Sequence, residues 1–147
     1  MFRNILLVFE NEEIFPEALI YARELALRND AKITLLMLVP MSFNGHMVIG
    51  PQRNTIRNIE MRAGKLLSDC LQTFIQEGIE VNSALKLGDQ AQEFMKFLSD
   101  RPPFQSVVWG SGKDLPNLIR GARRHWISKV AGRLECQLLV VSKRKEW

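Results

Sequence analysis

Residues 107–126 read VVWGSGKDLPNLIRGARRHW: an apolar run, then Gly-Ser-Gly, then a basic stretch. A parallel strand covered on both faces has that apolar continuity. Glycines directly after it let backbone N–H groups approach an anion such as phosphate, and a following helix N-terminus adds a favourable dipole. The segment reads as a sheet strand whose carboxyl end opens into a glycine loop. Three familiar motifs come close here and fail. A P-loop ending in Gly112–Lys113 needs glycine at Val107 and a hydroxyl at Asp114. A dinucleotide fingerprint from Gly110 needs glycine at Leu115, and a nucleophile elbow at Ser111 needs glycines at Trp109 and Lys113.

Upstream, strand-like and helix-like patterns alternate. NILLVF (4–9) is a first buried strand, and FPEALIYARELALRN follows with Pro16 suited to a first helical turn and Ala18, Leu19, Ala22, Leu25 and Ala26 at helical spacing. AKITLLMLV (31–39) is the second strand, and residues 40–52, with two Pro and two Gly, read as a loop. A helix is expected over about 53–77, striped by Ile56, Ile59, Ala63, Leu66, Leu67, Cys70, Leu71 and Phe74 and stopped at Gly78. IEVNSALKL (79–87) alternates only in part, as suits a strand nearer a sheet edge. Asp89 is the expected N-cap of QAQEFMKFLSD, which Pro102 and Pro103 terminate.

Downstream, a helix over roughly 119–134 and a fifth strand, QLLVVSK, complete the order β-α-β-α-β-α-β-α-β. That order implies one α/β domain spanning 1–147, with an open parallel sheet, right-handed crossovers and helices on both faces. Ligands of such sheets bind outside the carboxyl ends of the strands, where strand order reverses. If the first and fourth strands are neighbours there, Glu10 and Gly110 face one crevice.

The totals narrow the function classes. The 147 residues are 46% apolar and 24% charged, ordinary for a globular domain able to build its own core. No stretch approaches the ~18 consecutive apolar residues of a membrane span. The N-terminus meets Glu10, Glu12 and Glu13 at once and reads as a strand, not a signal peptide. Cys70 and Cys136 lie far apart without a CxxC partner, which argues against disulfide or zinc frameworks and for a reducing cytoplasm. The net charge of +4 is modest, and no aromatic-and-basic recognition motif accompanies it, so nucleic-acid binding is not expected. Arg120, Arg123, Arg124, His125, Lys129 and Arg133 make the fourth helix basic, either as a solvated face or as an anion or partner surface. Trp126, Val130 and Leu134 recur at i, i+4, i+8, so Trp126 reads as a core anchor. His46 and His125 have no carboxylate or thiol cluster at ligand spacing, so no metal is expected.

Taken together, the apolar first strand ending at Glu10, the second closing in Leu38–Val39, GIEVNSALKLGDQAQEF, and SVVWGSG…CQLLVV resemble the universal stress protein family over essentially the whole chain. The resemblance implies a five-stranded parallel sheet in order 3-2-1-4-5. It also implies homodimers paired through the fifth strand, here about Gln137 to Lys143. ATP-binding members carry an acid after strand one and a Gly-x-x-Gly signature followed further on by Gly-Ser or Gly-Thr. Glu10 matches the acid, one methylene longer than the usual Asp, and Gly110 matches the first glycine. The second is due at 113, where Lys113 stands, with Gly112 displaced by one. Arg124 and His125 occupy the place of Gly-Ser, and Gly121 falls three residues short.

An arginine there crowds the close approach a glycine permits, while its charge can attract a phosphate from further away. The expectation is therefore a non-enzymatic, cytoplasmic, homodimeric stress protein, acting through protein partners with weak or altered nucleotide binding and no obligatory cofactor. The alternative is an ATP-binding member using Glu10, Val39, Gly110 and Gly112, with Arg124 and His125 at the rear of the cradle. A nucleotide hydrolase or nucleotidyl transferase on the same fold is a third possibility, for which no converging nucleophile or base is evident.

Overall fold

The computed structural model describes residues 3–41, 51–111, 126–134 and 136–142. In chain order the elements are β1 (Asn4–Glu10), α1 (Pro16–Asn29), β2 (Lys32–Pro40), α2 (Pro51–Gln76), β3 (Val81–Gly88), α3 (Gln90–Ser99), β4 (Ser106–Ser111), α4 (Trp126–Ala131) and β5 (Gln137–Ser142). The five strands form one sheet in the order β3-β2-β1-β4-β5, every neighbouring pair parallel. This is the expected topology, and β3 lies at an edge as its partial alternation foretold.

Alternation along the strands sorts side chains onto two faces. Ile5, Leu7 and Phe9 of β1, with Ile33, Leu35, Met37 and Val39 of β2, pack beneath α1 and α2. Leu6, Val8, Leu36, Leu38, Val107 and Trp109 pack on the other face against Phe94 and Phe97 of α3 and Trp126, Ile127 and Val130 of α4. A fully buried Leu or Phe contributes roughly 1.5–3 kcal/mol. The run Ile5–Phe9, with no exposed side chain, therefore anchors both layers at once.

Local chemistry sets the boundaries. Pro16 opens α1, and Asp30 closes it in the left-handed region at φ 51°. Asp89 caps α3, its Oδ2 accepting from the Gln92 N–H at 3.0 Å. Gly78, at φ 77°, ends α2 and lets the Ile79 N–H reach back to the Phe74 carbonyl at 3.0 Å. Several expected boundaries shift, β2 running on to Pro40 and β3 starting at Val81 among them. Helix α2 begins at Pro51, because proline fits a first turn. Gly88 joins β3 by pairing with Pro40. Helix α4 stops at Ala131, where a turn through Gly132 brings the Arg133 N–H to the Val130 carbonyl at 2.9 Å. Leu134 still packs on the α3/α4 core from beyond the helix. The expected helical residues 119–125 lie outside the described residues. Among the described residues no helix is long and apolar enough to cross a membrane.

Candidate functional site

Strand β1 lies between β2 and β4, so the reversal of strand order falls at its carboxyl end, which is Glu10. Alternation points Glu10 to the same face as Leu6 and Val8, toward α3 and α4. Its side chain is buried, at 9% exposure. Burying a carboxylate is costly unless donors replace its water. Here Oε2 accepts from the Trp126 indole Nε1 at 2.6 Å and from the Gln90 side-chain Nε2 at 2.6 Å. Both are short for N–H···O bonds. Trp126, itself 8% exposed, is braced by Phe94, with ring centroids 5.3 Å apart at 58°. Trp126 is thus the expected core anchor, and it also clamps the acid.

Gly110 sits on the adjacent strand but looks the other way. A Cβ there would lie 2.7 Å from Ala18 Cβ and 2.8 Å from Phe9 Cε1, so the missing side chain makes room for α1 and the Phe9 ring. Glu10 and Gly110 share a sheet end, with the carboxylate on one face and the side of Gly110 that α1 and Phe9 fill on the other. Val39 is buried, its side chain in the α1/α2 core and its backbone in register with Leu87. Only its main chain is placed to meet a ligand at the strand ends. Gly112, Arg124 and His125 lie outside the described residues.

The loop leaving β1 is tightly held. Asn11 and Glu12 are consecutive left-handed residues, at φ 59° and 58°, a conformation non-glycine residues adopt only at a cost. The Asn11 N–H donates to the Leu38 carbonyl at 3.0 Å, and the Glu13 N–H to the Glu10 carbonyl at 3.1 Å. The Arg62 guanidinium donates to both Glu12 oxygens, from Nε at 2.8 Å and Nη2 at 3.2 Å. That hydrogen bonding, and then the Glu12 charge, raises the Arg62 pKa above its ordinary value. Beside this loop, a depression of about 610 Å³ opens at the ends of β2 and β3, lined in part by Pro40, Met41, Leu87, Gly88, Asp89 and Gln90. Gln90 therefore borders the depression while holding Glu10.

Sequence reasoning missed Gln90, the Trp126 N–H and the Glu12–Arg62 pair. One signal was present for the first: period-two alternation puts Glu10 on the α3 face, and Gln90 opens α3 immediately after the Asp89 cap. The other two join residues remote in sequence that no local pattern links.

No protein-family model matches the sequence, and no curated protein matches it. Solved structures do. A universal stress family protein from Burkholderia pseudomallei superposes with a TM-score of 0.70 at 14% identity, covering 97% of each chain. Universal stress protein UspA from Lactobacillus plantarum gives 0.66 at 17% identity, over 95% of this chain and 97% of its own. The universal stress protein of Archaeoglobus fulgidus, solved in complex with dAMP, gives 0.60 at 14% identity, over 97% and 98%. The chain has the universal stress protein fold.

Proposed function

We propose that this chain is a non-enzymatic, cytoplasmic member of the universal stress class. In this reading it is a homodimer paired through β5, acts through protein partners, and has weak or altered nucleotide binding. One observation carries the last point: the Glu10 carboxylate, at the strand reversal where a ligand's polar groups would arrive, is buried and already accepts from Trp126 and Gln90. A nucleotide competing for that oxygen has to replace two short hydrogen bonds. The second reading, ATP binding in the family manner, draws support from the depression beside Gln90 and from the dAMP complex of the Archaeoglobus protein.

Thermal unfolding with and without millimolar Mg-ATP or AMP, with mass analysis of nucleotide retained through purification, separates the two. Ligand at 100 times its Kd adds about 2.7 kcal/mol. The first reading expects a stabilisation well short of that, no retained nucleotide and no release of ADP or pyrophosphate. A full shift or a retained adenine nucleotide overturns it in favour of the second, and slow turnover refutes the non-enzymatic assignment. Light scattering tests the dimer by looking for twice the 16.9 kDa chain mass. A monomer at micromolar concentration removes that part.

A further inference from the structure

At the end of the sheet opposite the strand reversal, a cleft of about 340 Å³ opens between the carboxyl end of α3, the lead-in to β4 and the turn after α4. Its apolar wall is built from Met95, Leu98, Phe104 and Leu134, and its exposed rim carries Arg101 and Arg133. No acidic residue lines it among the described residues. Neither arginine is in an ion pair among them. Arg101 stands between two depressions: its guanidinium rests over the Phe97 ring, 4.1 Å from the centroid, and that ring lines the neighbouring depression with Glu93 and Asp100. A cleft with an apolar wall, two arginines on its rim and no acid among the described residues lining it is complementary to a ligand with an apolar body and one carboxylate. The volume lies near the lower bound of small-molecule sites, about 300 Å³, which limits the ligand to a short chain or a single ring.

We propose that this cleft is a binding site for a small amphipathic carboxylate, separate from the strand-end crevice. Cys136 lines the cleft and is partly exposed, whereas Cys70 is buried, so alkylation of Cys136 reports on occupancy. The experiment follows iodoacetamide labelling of the full chain by peptide mass mapping, with octanoate, acetate or octanol present, and measures octanoate affinity by calorimetry. Octanoate is expected to slow labelling of Cys136 and leave Cys70 unchanged, while equal concentrations of acetate and octanol do neither. The variant R101Q/R133Q, altered only at exposed side chains, is expected to keep its circular dichroism spectrum and lose about tenfold in octanoate affinity. Millimolar AMP is expected to leave that affinity unchanged, so the outcome is independent of the nucleotide question. No protection by octanoate, equal protection by octanol, or undiminished affinity in the double variant would each overturn the proposal.

Discussion

An alanine at position 110 would place its Cβ 2.7 Å from Ala18 Cβ and 2.8 Å from Phe9 Cε1, whereas carbon atoms pack best at about 3.5–4.0 Å. Neither neighbour yields easily. Ala18 and Phe9 are both fully buried, and Ala18 is fixed to α1, whose first turn is bonded back to Phe15 by the Ala18 N–H at 3.0 Å. Relief requires α1 to lift from the sheet or Phe9 to leave its rotamer, and overpacking of this kind costs about 1–3 kcal/mol. At roughly 2–4 °C per kcal/mol for a chain of this size, Gly110→Ala should lower Tm by about 2–12 °C. Circular dichroism during thermal and urea unfolding measures it. Ala18→Gly removes one side of the clash, so a double-mutant cycle should show positive coupling beyond the helix-propensity cost of about 1 kcal/mol that Ala18→Gly carries alone. A Gly110→Ala protein as stable as its parent, or a cycle without coupling, refutes the assignment of Gly110 to helix–sheet packing.

Asp89→Ala removes the oxygen that accepts from the Gln92 N–H. It should cost about 1 kcal/mol by urea unfolding, and Asp89→Ser should recover most of that; equal stability of all three proteins would discount the cap. Asp30→Gly relieves a left-handed residue at the end of α1 and should raise stability by a few tenths to about 1 kcal/mol, so a lower Tm counts against it. Burial, and then the charge of Asp69, raises the Cys70 pKa above the ordinary thiol value. Native-state alkylation of Cys70 should therefore trail that of Cys136 and accelerate only at alkaline pH. The thiol keeps its proton more tightly when folded, so its contribution to stability is complete below the unfolded thiol's pKa and is lost as pH rises through the folded one. Labelling of Cys70 as fast as Cys136 near neutral pH would contradict this.

Much of the fold was legible because it rests on local patterns. The unbroken apolar run of β1, the proline opening α1, the Gly78 stop and the Asp89 cap each follow from a few adjacent residues. The site was less legible, and Gly110 shows why. A glycine after a buried strand serves equally for a phosphate approaching from outside or a helix approaching from within, and the second use is visible only in the positions of Ala18 and Phe9. Glu10 raises the same difficulty. Its place at the strand end follows from sequence, but its donors lie 80 and 116 residues further along the chain.

Those separations bear on how the protein is made. When β1 and β2 have left the ribosome, neither Gln90 nor Trp126 has been made. Gln90 arrives with α3, and the indole of Trp126 only with α4, after β4. Domains assembled from such distant contacts fold slowly, and partly synthesised chains expose what the finished one conceals. A growing chain therefore passes through a stage in which the acid lacks both of these donors and the sheet end lacks its tryptophan cover. The clamp on the acid cannot close before α4 has been made.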